Sequence, residues 1–160
     1  MNESVFEAER MTFRVACVSL LAVLVIGGTD CKVQTSMDEV AKSHIEANVP
    51  KGKRFDEYLK RDLRAYFCKD EKECSVEYEL LRDGPTQTGI AYPKYYLWVK
   101  VVAGQKVISE GAVRVAAIEQ RTFDITHFLS RRDIVESPSR VDAIFPAALV
   151  SKIQHKARAQ

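Results

Sequence analysis

Glycine and proline are scarce, 7 and 5 in 160 residues, and no stretch repeats one residue type. That excludes collagen, a low-complexity linker and a largely disordered chain. Histidine is scarcer still, with 3 in the chain. None of His44, His127 and His155 belongs to an HxH, an HExxH or a His–Cys cluster, so no metal-ligand spacing is present. The Gly-rich loops that cradle phosphates and the GxSxG elbow of acyl-transfer enzymes are also missing. Charge of one sign is lacking as well: 24 Lys plus Arg against 22 Asp plus Glu leave a net charge of +2. So small an excess gives no electrostatic pull toward nucleic acid. The absences together favour a protein that is not an enzyme, with no cofactor, no metal and no nucleic-acid partner.

What is present is enough apolar material, 46% of the chain, for one globular core and too little length for two. The uncharged run from Val15 to Gly28 is shorter than the roughly 20 residues a membrane-spanning helix needs and has the character of a secretory signal. The residues before it carry Glu3, Glu7 and Glu9 against Arg10, whereas a start at Met11 places Arg14 directly ahead of the run. Met11 is therefore the expected start, and residues 1–31 the expected leader. Without residues 1–30 the balance becomes 22 basic to 18 acidic, still scattered as on a solvated surface.

Cysteine usage fits an exported protein. Of the 4 cysteines, Cys17 lies inside the leader and Cys31 just past the apolar run, where bacterial lipoproteins carry their lipidated cysteine. Gly28, Thr29 and Asp30 depart from that pattern, so lipidation at Cys31, simple cleavage and an uncleaved anchor all stay open. Cys68 and Cys74 are separated by the polar loop KDEKE. Five residues bring two Cα atoms to within about 6 Å, and an oxidising compartment would keep the bridge.

The stretch 32–53 reads as a polar spacer with a possible short helix at MDEVAKSHIEA, followed by one domain over 54–160. From Arg54 to Cys68, Phe55, Tyr58, Leu59, Leu63, Tyr66 and Phe67 recur at helical spacing against a charged opposite face. After Cys74 the period drops to 2. SVEYELL, YPKYYLWVKVV, VISEGAVRVAAIE and FDITHFL predict four consecutive strands, with a hairpin turn at Gly104 and a bulge or bend at Gly111. The second of these is apolar on most of both faces, which predicts a central strand. Ser130 or Asp133 is available to cap a helix, and Phe145–Pro146 opens a short closing helix expected to cover a sheet edge or rim. The expected fold is α+β in two layers, one long amphipathic helix on a four-stranded antiparallel meander plus a short C-terminal helix.

In this order of elements the chain resembles the cystatin-like and NTF2-like architectures. Lys100-Val101-Val102-Ala103-Gly104 is similar to the QVVAG hairpin with which cystatins block papain-type proteases, with Lys in place of Gln and no Pro-Trp second hairpin downstream. The cystatin likeness implies a protease inhibitor or immunity protein. The NTF2 likeness implies a small-ligand carrier or pocket enzyme centred on His127, with Glu77 or Glu79 as the acid–base partner.

The leading expectation is a small exported envelope protein of the periplasm, membrane-associated through its leader or a lipid. It acts as a non-enzymatic module that binds another, unidentified envelope protein. Tyr95, Tyr96 and Trp98, aromatics with polar tips beside Tyr92, are its candidate binding surface.

Overall fold

The computed structural model of the protein describes residues 36–69 and 73–159. The leader, with Met11, Cys17 and Cys31, lies outside the described residues. The elements run α1 (Ser36–Asn48), α2 (Lys53–Phe67), β1 (Cys74–Leu80), β2 (Lys94–Ala103), β3 (Lys106–Ile118), β4 (Thr122–Ser130), α3 (Arg131–Glu136), α4 (Ser139–Ile144) and α5 (Ala147–Arg158). The four strands form one antiparallel sheet in the order β1-β2-β3-β4, the expected meander.

The sheet is filled on both faces, and β2 explains why. Its pattern KYYLWVKVVA sends Tyr95, Leu97, Val99 and Val101 to one side and Tyr96 and Trp98 to the other, and all six are buried. On the first side the core comprises Val76, Leu97, Val99, Val113, Val115 and Phe123 under Leu59 and Leu63 of α2. Phe55 meets Tyr95 and Phe123 edge-on, with centroids at 4.9 and 5.1 Å, a favoured aromatic geometry. On the second side Tyr96, Trp98, Ala112 and Leu129 lie beneath Ile134 of α3, Val141 of α4, Phe145, and Leu149, Ile153 and Ala157 of α5. The architecture is thus three layers, and the two-layer expectation is corrected. The C-terminal helices cover the middle of the second face, where Trp98 and Tyr96 must be removed from water, and leave Glu77, Lys100 and His127 exposed at its margins. The main helix, α2, has 15 residues, and Pro138 stands at the N-cap of α4.

Polar clamps hold the layers in register. The side chain of Ser130 accepts the Asp133 amide while the Asp133 carboxylate accepts the Ser130 amide, a capping box that starts α3 directly from the end of β4. At the β3–β4 turn, Glu119 and Gln120 have φ of 50° and 56°, a left-handed conformation costly without glycine. Asn48, the last residue of α1, secures it: its Oδ1 accepts the Glu119 amide at 3.0 Å and its carbonyl accepts the Gln120 amide at 2.8 Å. The stretch read as a spacer therefore carries a helix whose end is bonded to the sheet. From α2, the Asp62 carboxylate accepts the Phe123 amide at 2.7 Å and Arg61 donates to the Arg121 carbonyl at 2.6 Å.

Gly111 does not mark a bulge. The register shifts fall between Val101 and Val102 and between Arg114 and Val115. A Cβ at position 111 would lie 2.1 Å from the Leu129 carbonyl oxygen and 2.8 Å from Cε2 of Phe128, so glycine is required by close approach of β4. Gly111→Ala is expected to lower unfolding free energy by at least about 3 kcal/mol, since the clash is with backbone. Urea denaturation measures this, and a loss within about 0.5 kcal/mol, typical of a neutral surface change, would contradict the packing described.

Candidate functional site

The acid–base pair expected from the sequence is not brought together. Glu77 and Glu79 lie on β1 and His127 on β4, the two outer strands. They share a sheet face, but three strand spacings separate them, roughly 14 Å. Trp98 and Tyr96 lie between them, packed beneath the C-terminal helices. Glu79 and His127 each have a local partner instead. Glu79 pairs with Lys156 at 2.7 Å and Lys152 at 3.8 Å, joining β1 to α5. Its carboxyl is held below the usual carboxylate range by the Lys156 hydrogen bond, with further help from Lys152, which suits it poorly for proton donation near neutrality.

His127 is exposed and tied to Arg114, its cross-strand neighbour. The Arg114 guanidinium donates Nη2 to Nδ1 of His127 at 2.6 Å, Nε to Thr126 Oγ1 at 3.0 Å and Nη1 to the Ile144 carbonyl at 3.1 Å. Because arginine only donates, Nδ1 must accept, so the imidazole is neutral with its proton on Nε2. Arg114 thereby fastens the end of α4 to the sheet. Burial lowers the His127 pKa first, and the charges of Arg114 and Lys94 lower it further.

The candidate binding aromatics are core residues. Tyr95, Tyr96 and Trp98 keep 6%, 5% and 4% of their surface exposed, and they are divided between the two sheet faces. Burial alone pushes the Tyr95 hydroxyl up to about 12. Tyr92, at 47% exposed, is the member of that group left at the surface. The sequence pattern showed that β2 was apolar on two faces, yet gave no sign that a second helical layer would cover the aromatic one.

An open cleft of ≈ 390 Å³ lies beside that layer, bounded by Glu77, Glu79, Trp98, Lys100, Glu110 and Arg131 among others. Its charges largely satisfy one another. Trp98 Nε1 donates to Glu110 at 2.8 Å, Arg131 reaches Glu110 at 3.4 Å and the Ala157 carbonyl at 2.8 Å, and Lys156 lies 5.9 Å from the Trp98 ring centroid. Among the described residues that bound it there is no Ser, Thr or Cys. Among the described residues no group of three or more His, Cys, Asp or Glu side chains is placed to hold a metal ion. No described helix is long and apolar enough to cross a membrane.

Two features remain for contact with other molecules. At the tip of the β2–β3 hairpin, where Gly104 takes φ 58° at the first position of a two-residue turn, Val107 and Ile108 are 48% and 45% exposed. The sequence reading placed both inside a strand and missed their exposure, although their position directly after the Gly104 turn was a usable signal. The other feature is the start of β1, where Cys68 and Cys74 are within disulfide range with Cα atoms 5.6 Å apart.

The state of His127 has a measurable consequence. Its folded pKa is depressed, so the unfolded chain takes up the proton first. Stability is complete above the unfolded value of about 6.5 and is lost as pH falls from there toward the folded pKa. Urea unfolding across that window should show a downward slope that His127→Gln reduces. An identical slope in the variant would contradict the Arg114 contact. No protein-family model matches the chain, and comparison with curated proteins and with solved structures returns no match.

Proposed function

We propose that the protein is a non-enzymatic protein-binding module of the cell envelope, exported through its leader and held near the membrane by that leader or by a lipid on Cys31. The observation that carries the binding role is the filling of both sheet faces by side chains, which leaves His127 outside any pocket. A pocket enzyme or NTF2-like carrier centred on His127 loses its support by the same observation. Export is supported by the paired Cys68 and Cys74, since such a bridge persists in an oxidising compartment. Free thiols at both positions in the native protein would count against it.

The likeness to cystatin-like and NTF2-like architectures is kept at the level of topology, helix first and meander after, with three helices on the second face as this chain's own addition. One form of the binding role is cystatin-like inhibition or immunity. What favours it is that the Lys100–Gly104 segment leads into a hairpin whose tip is exposed and carries Val107 and Ile108. A photo-crosslinking residue at Ile108, in cells making the full chain, is expected to trap one reproducible protein, while the same residue at exposed Arg132 traps none. Crosslinks from neither position, with a small molecule retained on the purified protein, would reverse the reading.

A further inference from the structure

We propose that the outer edge of β1 docks an extended segment of a partner protein, one that sets a lysine or arginine opposite Glu77 between two apolar residues. The proposal rests on the reading of the chain as a protein-binding module and names the surface and partner chemistry that this reading leaves open.

The backbone supplies the first argument. Among the described residues β1 pairs with β2 alone. At the two ends of that ladder Gly104 donates its amide to Glu73 and Leu81 donates to Tyr96. Antiparallel pairing alternates, so Ser75, Glu77 and Glu79 bond to β2 while the amides and carbonyls of Val76, Tyr78 and Leu80 point outward. Among the described residues no hydrogen-bonding partner meets them. An incoming strand would satisfy the whole row, the basis of recognition by strand addition. At the opposite edge, β4 is closed at its start by Asp62 on the Phe123 amide and interrupted by the register shift across from Arg114 and Val115, features that blunt an edge.

Side chains select the occupant. A groove of ≈ 630 Å³ lies between this edge and α2, bounded by Asp56, Lys60, Val76, Tyr78 and Leu80. Its polar wall is already committed: Tyr78 donates its hydroxyl to Asp56 at 2.7 Å and Lys60 pairs with the same carboxylate at 2.9 Å. What remains on offer to a strand's alternate residues is the half-buried apolar surface of Leu80 and the Tyr78 ring, Val76 being a core residue. On the other face Glu79 is taken by Lys156 and Lys152. Among the described residues Glu77 has no ion pair, although Lys100 is its cross-strand neighbour. A cation opposite Glu77 gains a favourable cross-strand pair. A second copy of β1 is disfavoured, because antiparallel pairing about a twofold axis centred on the strand sets Glu77 against Glu77.

The test uses the full chain and a capped peptide of alternating valine and threonine with lysine at its centre; the control peptide has glutamate there. Amide exchange followed by NMR should show the lysine peptide slowing the Val76, Tyr78 and Leu80 amides. It should bind about fivefold more tightly than the control, the size of the charge-pair difference across strands. Glu77→Gln, a surface change that sets no like charge against Lys100, should abolish the preference while the unfolding midpoint stays within the range of a surface substitution. Equal binding of the two peptides, protection of β4 instead, or β1 protection that follows protein concentration without peptide, as for a second copy, would each overturn the proposal. Protection of β1 by the lysine peptide in a protein that forms no crosslinks in cells would sustain the edge chemistry and overturn the module reading. Crosslinks from Ile108 without β1 protection would overturn the edge alone.

Discussion

Removing both faces of β2 from water is the constraint on which the rest of this structure depends. Leu97 and Val99 require one cover and Tyr96 and Trp98 require another, so a single helix on a sheet is not a complete solution. The chain supplies α2 before the strands and the α3–α5 series after them. The Ser130–Asp133 capping box turns the chain from sheet to second cover with no intervening loop. Arg114, bonded to the Ile144 carbonyl, and the Glu79 pairs with Lys152 and Lys156 fasten that cover to β3 and to β1.

This arrangement gives several ionisable groups on the second face a structural task, that of holding layers together. His127 is a neutral acceptor for Arg114 and Glu79 is an anion for two lysines. Among the surfaces left for recognition are two at the margins, the hairpin tip with Val107 and Ile108 and the open edge of β1. Both suit contact with another polypeptide better than capture of a small molecule.

Much of the fold was legible in the sequence because its elements obey simple periods. The apolar stripe Phe55, Leu59 and Leu63 marked α2, alternation marked all four strands, and Gly104 marked the hairpin. The second cover was less legible, since α3 and α4 have 6 residues each, too few for a periodic signal. That is why Tyr96 and Trp98 looked available. The separation of His127 from Glu77 depended on strand order and register, which alternation within one strand does not encode. Gly111 was recognised as special, but its reason, a backbone oxygen of a neighbouring strand, is a tertiary fact. Asn48 resembled any polar helix residue until the β3–β4 turn was placed against it.

The account stands or falls on the second layer, and the chain carries a single tryptophan, Trp98, beneath it. Quenching of its fluorescence by acrylamide in the folded full chain is the most direct measurement. If α3–α5 seal that face, the emission is blue-shifted and quenching is slow, becoming fast only when the protein unfolds. Quenching in the folded state as rapid as that of free tryptophan would mean that the face is open, and the three-layer structure with the functional reading built on it would be wrong.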